Sequence, residues 1–180
     1  MSQPIRLTTM RRPAVVVTLV ATVALALARP AQAEIAVGDR APELDSARCE
    51  AGRPFRIKRY RGKWVLVTFG GSWCKPCKAE LPAWDKLAPE YRGKVTFVAV
   101  NIDNDPKKGK KFNDKLKLRN LTRVYLPADA AVGDDAYETG TFPSTFVIDP
   151  KGIIRFVHRG YESGDAGKVR EALGKLLGQA

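Results

Sequence analysis

Trp64-Val65-Leu66-Val67-Thr68-Phe69-Gly70-Gly71-Ser72-Trp73-Cys74-Lys75-Pro76-Cys77 sets the architecture of this chain. Its first six residues are a continuous apolar, β-branched run, the pattern of a strand buried on both faces of a parallel or mixed sheet. Gly70-Gly71-Ser72 breaks the strand. The spacing of Leu81, Trp84, Leu87 and Ala88 predicts a helix from near Cys74 towards Tyr91, kinked at Pro82. A buried strand thus turns into a helix, and two cysteines occupy the turn.

Two residues between cysteines at a helix start let both sulfurs meet within the first turn. Cys74 falls where unpaired backbone N–H groups and the helix dipole stabilise an anion. A thiolate is the reactive form of cysteine, so this position favours Cys74 as the nucleophile, and Lys75 adds a positive charge beside it. Pro76 stiffens the turn without wasting an N–H. Cys77, one turn in, is the less exposed, resolving thiol. Exchange then runs in two steps: Cys74 attacks a partner disulfide, and Cys77 attacks the Cys74 sulfur of the mixed disulfide and releases the reduced partner. Three other readings of the pair stay open at this point. Half of a zinc site would need two more ligands, and only Cys49 and His158 remain. A plain structural disulfide is the second. A Cu(I) metallochaperone is the third, since two thiolates suit a soft ion, although no Met or His cluster accompanies them.

Outward from the turn, strands and helices alternate. Val95–Val100 reads as a second buried strand, and Asp105-Pro106 opens a helix with Asp105 as N-cap and Phe112, Leu116 and Leu118 facing inward. Arg123–Leu126 is a short strand, Asp129–Tyr137 a short helix or turn, and Ser144–Ile148 and Ile153–Val157 are strands joined by the hairpin turn Asp149-Pro150-Lys151-Gly152. Asp165–Leu177 closes the chain as a helix. Residues 34–53 read as an extension packed on the domain, and Phe55-Arg56-Ile57 as a short edge strand. The early βαβ order calls for parallel strands with crossover helices, and the late hairpin adds antiparallel ones. The fold class is α/β: a central mixed β-sheet flanked by helices on both faces.

Residues 1–33 stand apart. They contain Arg6, Arg11, Arg12 and Arg29 and no acid, the apolar run Ala14–Ala28, and the small-residue end Ala31-Gln32-Ala33. These are the parts of a secretory signal peptide. The run is short for a membrane span, which needs about 20 residues; the alternative is an uncleaved anchor formed by residues 14–28. The domain then occupies residues 34–180, exported to the periplasm or another extracytoplasmic space where disulfides persist. A length of 180 residues fits one domain, three cysteines are too few for a disulfide-stapled scaffold, and one histidine excludes a multi-His centre. The net charge is +12 for the whole chain and +8 for residues 34–180, which hold 27 basic and 19 acidic residues; this surplus favours acidic partners or an anionic membrane surface, and export argues against nucleic acid. Lys107, Lys108, Lys110, Lys111, Lys115, Lys117 and Arg119 read as a solvated helix face. Cys49 is the odd thiol, either a partner for another subunit or a half-buried bystander; His158 reads as a surface residue on the last strand.

Gly71-Ser72-Trp73-Cys74-Lys75-Pro76-Cys77-Lys78-Ala79-Glu80-Leu81-Pro82 resembles the active-site segment of the thioredoxin-like fold, in particular that of exported TlpA/ResA-like thiol–disulfide oxidoreductases. Thr141-Phe142-Pro143-Ser144-Thr145-Phe146-Val147-Ile148-Asp149 is similar to that family's cis-proline loop and following strand. The resemblance runs from about Gly38 to Gly178. It implies a cis Pro143 against the Cys74–Cys77 pair, with the backbone of Phe142 offered to an extended partner peptide. It also implies that Glu80 sits near the disulfide, where a carboxylate would take the proton of Cys77 as it attacks; the alternative is a solvated glutamate. Trp73, Lys75, Pro76 and Phe142 are the implied substrate-contact residues. Two departures stand out. Thioredoxin itself carries an acid where this chain has Thr68, which cannot accept a proton, and Gly70-Gly71 replaces a bulkier pair, which would open the site near Trp73. Functionally, the resemblance implies a reductase of protein disulfides, of the cytochrome c maturation or respiratory copper-site assembly type. It would need no metal or organic cofactor beyond its own redox-active disulfide and would draw electrons from a membrane donor protein. The competing reading is a peroxiredoxin-like peroxidase, whose reactive cysteine follows a Thr/Ser-x-x turn; Gly71 stands at that position here.

Overall fold

A computed structural model describes residues 35–126, 137 and 140–178. The expected leader over 1–33 lies outside these residues, as does the expected short helix 129–137 apart from Tyr137. Among the described residues, six strands form one mixed sheet in the order β1-β4-β3-β2-β5-β6. They are β1 Arg48–Cys49, β2 Trp64–Gly70, β3 Val95–Asn101, β4 Thr122–Tyr125, β5 Ser144–Ile148 and β6 Ile154–Arg159, with helices α1 Cys77–Leu87, α2 Pro106–Lys115 and α3 Asp165–Gly178. β2 pairs in parallel with β3 and β3 with β4, while β5 runs antiparallel to both β2 and β6. The parallel core and late hairpin follow the element order read from the sequence.

Among the described residues, α1, α2 and α3 pack on one face of the sheet. Leu81, Trp84 and Leu87 of α1, Phe112 of α2, and Val169 and Leu173 of α3 share one apolar cluster with Leu66, Phe97, Ala99 and Val147 of the sheet. Handedness explains this. The crossovers β2→β3 and β3→β4 step in the same direction across the sheet, and two right-handed crossovers in one direction place both helices on one face. Among the described residues, the opposite face, with Val65, Val67, Phe69, Val98, Val100, Phe146 and Ile148, packs against Ile35, Leu44, Ala47, Phe55, Ile57 and Tyr137. The extension therefore supplies a layer of the core, and it is stitched to the hairpin by Ala41 N–H donating to the Gly152 carbonyl at 3.0 Å.

The expected strand at 55–57 is absent. Pro54 lacks a ladder donor, and Ile57–Tyr60 is a short 3-10 helix. Phe55 and Ile57 alternate because both anchor in the core, each 2% exposed, from an irregular segment. At the other end of α1 the helix tightens into a 3-10 turn over Ala88–Tyr91, where Pro89 cannot continue the α-helical bonding. α2 starts as expected, with Asp105 accepting from the Lys107 N–H at 2.9 Å. Among the described residues, no helix is long and apolar enough to cross a membrane.

Candidate active site

Cys74 and Cys77 are joined in a disulfide with Cα atoms 5.3 Å apart. The helix begins at Cys77, three residues later than the periodicity suggested, because Gly71–Cys74 forms its own turn, with Cys74 N–H donating to the Gly71 carbonyl at 3.0 Å. Cys77 N–H, one of the unpaired donors of the first helical turn, points to the Cys74 sulfur at 3.2 Å. Both sulfurs are recessed: Cys74 is 4% exposed and Cys77 1%.

The two glycines before the turn do not open the site. A methyl group on Gly70 would sit 2.4 Å from Cys77 Sγ, and one on Gly71 would sit 2.5 Å from the Trp73 indole nitrogen. Cys77 and Trp73 thus fill the room that larger residues would take. Gly70→Ala forces the disulfide off the strand and is expected to lower stability by about 1–3 kcal/mol, the usual cost of overpacking; urea unfolding of the oxidised chain measures it, and an unchanged midpoint would refute this packing.

Trp73 is 58% exposed and meets Phe142 edge-on, ring centroids 5.3 Å apart. The Phe142–Pro143 peptide is cis. The turn and the proline loop therefore share an apolar surface beside the disulfide, while Lys75 lies exposed at its rim.

Glu80 is the residue whose setting the sequence least disclosed. It is 1% exposed. Thr68 Oγ1 donates to its Oε2 at 2.8 Å and Thr145 Oγ1 to its Oε1 at 2.7 Å, with the two hydroxyls 3.0 Å apart. Thr68 and Thr145 are cross-strand neighbours on β2 and β5. Although position 68 is a threonine, this layer still holds an acid, because α1 brings Glu80 against Thr68 and Thr145. Burial raises the carboxyl from 4.5 to about 7, against the pull of the two threonine hydroxyls and the Trp84 indole N–H, and the charge of Asp165 adds to the rise. The Trp84 nitrogen lies outside ordinary hydrogen-bond geometry, so the threonines are its principal partners. Each hydroxyl can donate to the carboxylate or accept from the carboxylic acid, so the group holds or gives up a proton without orphaning an oxygen. Glu80, Cys77, Gly70, Asn101 and Asn113 line a common cavity of about 10 Å³ under the disulfide.

Cys49 is a free, half-buried thiol on β1. It lies three strand spacings from β2, about 14 Å at the usual interstrand distance. His158 is not a surface residue: its side chain is 17% exposed and its Nε2 lies 3.0 Å from Asp165 Oδ2. Because β1 and β6 are opposite edges of the sheet, Cys49 and His158 cannot complete a zinc site with the C-x-x-C pair. One contact that spacing did not suggest is Ser72 with Asp103, 31 residues apart.

Comparison with known proteins agrees with this arrangement. A model described as the AhpC/TSA family matches residues 37–157. Thioredoxin-like protein YneN of Bacillus subtilis is 34% identical over 123 residues, spanning 68% of this chain and 71% of that protein. Thiol-disulfide oxidoreductase ResA of Geobacillus thermodenitrificans is 35% identical over 127 residues, spanning 70% and 71%. Among solved structures, the thioredoxin domain of a thiol-disulfide oxidoreductase from Bacteroides vulgatus superposes with a TM-score of 0.65 at 26% identity, covering 77% of this chain and 98% of that one.

Proposed function

The chain belongs to the AhpC/TSA family, and within it we propose that this member is an exported thiol–disulfide oxidoreductase that reduces disulfides of partner proteins. One observation carries the reading: a recessed Cys74–Cys77 disulfide at the start of α1, with a buried carboxyl one turn further along. Cys74 is the attacking thiol, favoured by the Cys77 N–H aimed at its sulfur. Cys77 resolves the mixed disulfide, and ionised Glu80 takes its proton. Trp73, Lys75, Pro76 and Phe142 contact the partner, which lies as an extended strand along the Phe142–Pro143 peptide. Two electrons leave the dithiol per disulfide reduced, so the reaction draws on no metal or organic cofactor; a membrane protein dithiol restores the pair. Export rests on the leader-like residues 1–33, and the resemblance favours cysteines of cytochrome c maturation or copper-site assembly proteins as targets.

Equilibration of the full chain with redox buffers tests the direction. A reductant is expected near the thioredoxin end of the scale, roughly −270 mV; a value near −120 mV would mark a disulfide donor and overturn the proposed direction.

A further inference from the structure

The Asp103 carboxylate is buried, 5% exposed, although it lies just past the end of β3. Three donors converge on it. Ser72 N–H reaches Oδ2 at 2.9 Å, Ser72 Oγ reaches Oδ1 at 2.7 Å, and the Asn101 side-chain amide reaches Oδ2 at 2.8 Å. The Asn101 carbonyl oxygen accepts in return from the Asp103 N–H at 3.1 Å. Asn101 is itself held in place: it is 4% exposed, and α2 packs on it so closely that a methyl group on Gly109 would sit 2.0 Å from its Oδ1. A carboxylate taken out of water at this cost needs strong partners, and two of the three come from Ser72, inside the Gly71–Cys74 turn.

We propose that Asp103 is a positioning residue for the exchange reaction. Its carboxylate pins Ser72, and with it the Trp73–Cys74 peptide, so that the indole stays against Phe142 and the Cys74 sulfur keeps its place before the Cys77 N–H. The link runs from α2 through Asn101 and Asp103 to Ser72, tying the redox turn to a helix that is not part of it. Asp103 touches neither sulfur in this scheme; it acts through Ser72. This inference rests on the proposed exchange chemistry but assigns a residue outside the C-x-x-C and proline motifs.

The test compares Asp103→Ala and Asp103→Asn in the reduced full chain. The readout is the rate of exchange with a peptide disulfide at its high-pH limit, where the Cys74 thiolate is complete and position rather than ionisation is measured. Losing a charge-assisted bond set is expected to slow Asp103→Ala about tenfold. Asparagine keeps all three contacts, with its own amide donating to Ser72 Oγ, and is expected to return the rate to within about threefold of the unmodified chain. A folded Asp103→Ala chain with an unchanged rate overturns the proposal. So does an Asp103→Asn chain as slow as Asp103→Ala, which would show that the charge and not the hold on Ser72 matters. Should Asp103→Ala fail to fold, Ser72→Ala removes the hydroxyl contact alone: slower exchange supports the proposal and an unchanged rate overturns it. If the unmodified chain exchanges with no disulfide, the oxidoreductase reading itself fails; acrylamide quenching of the exposed Trp73 in the same variants then still decides whether Asp103 holds the turn.

Discussion

Cys74→Ala is expected to abolish disulfide exchange, and Cys77→Ala to leave the chain covalently attached to its partner. These opposite outcomes follow from the unequal settings of the two sulfurs. Cys74 receives the Cys77 N–H at 3.2 Å, a donor that stabilises its thiolate and is otherwise unpaired in the first turn of α1. Cys77 is pressed against Gly70 at the end of β2 and is reached only after Cys74 has reacted. Without Cys74, the remaining thiols are Cys77, packed behind the turn against Gly70, and Cys49 on the far edge strand, away from the start of α1. Without Cys77, the first step proceeds and the second has no nucleophile. Reduction of a peptide disulfide by each variant, followed by non-reducing electrophoresis, gives the answer. Exchange retained in Cys74→Ala, or no mixed disulfide in Cys77→Ala, would reverse or remove the assigned roles.

Glu80→Gln is expected to have two effects that share one cause. With its carboxyl raised to about 7 by burial, Glu80 is largely ionised above neutrality and protonated below it. The resolving step of the unmodified chain should therefore slow as the pH falls through 7, and the variant should lose that inflection and react about 100-fold more slowly above it, the lower range for a positioned base. Stability responds in the opposite sense to the usual carboxylate. The folded chain binds this proton more tightly than the unfolded chain, whose glutamate titrates near 4.5, so protonation favours folding. The contribution is complete below about 4.5 and is lost as the pH rises through about 7, by up to roughly 3 kcal/mol. Urea unfolding of the oxidised chain at several pH values, taken as the difference between unmodified and Glu80→Gln proteins, isolates this group from the others that titrate. A difference that does not change between pH 4.5 and 7 would show that Glu80 is ionised throughout, and the proton-acceptor role would lose its basis.

Much of this site was legible because its determinants are local. The C-x-x-C spacing, the strand that feeds it, the Asp105 cap and the Asp149–Gly152 hairpin each depend on residues within a few positions of one another, and each is found as read. The Phe55–Ile57 alternation misled because two apolar anchors in an irregular segment reproduce the period of a strand. The glycine pair misled differently: absent side chains suggested open space, whereas Cys77 and Trp73 occupy it.

By itself the sequence determined the C-x-x-C pair at a strand-to-helix turn and the sheet's mixed character, since spacing, hydrophobic period and turn chemistry act over short stretches of chain, while the cis proline was implied by the family resemblance and is found at Phe142–Pro143. Only the tertiary structure decided where Glu80 and Asp103 end up. Glu80 meets Thr145 across 65 residues and Ser72 meets Asp103 across 31. Such contacts arise from strand register and crossover handedness, which place α1, α2 and α3 on one face and bring the ends of β2 and β3 together. No local period encodes them, because burial of a polar side chain depends on what the rest of the chain packs over it.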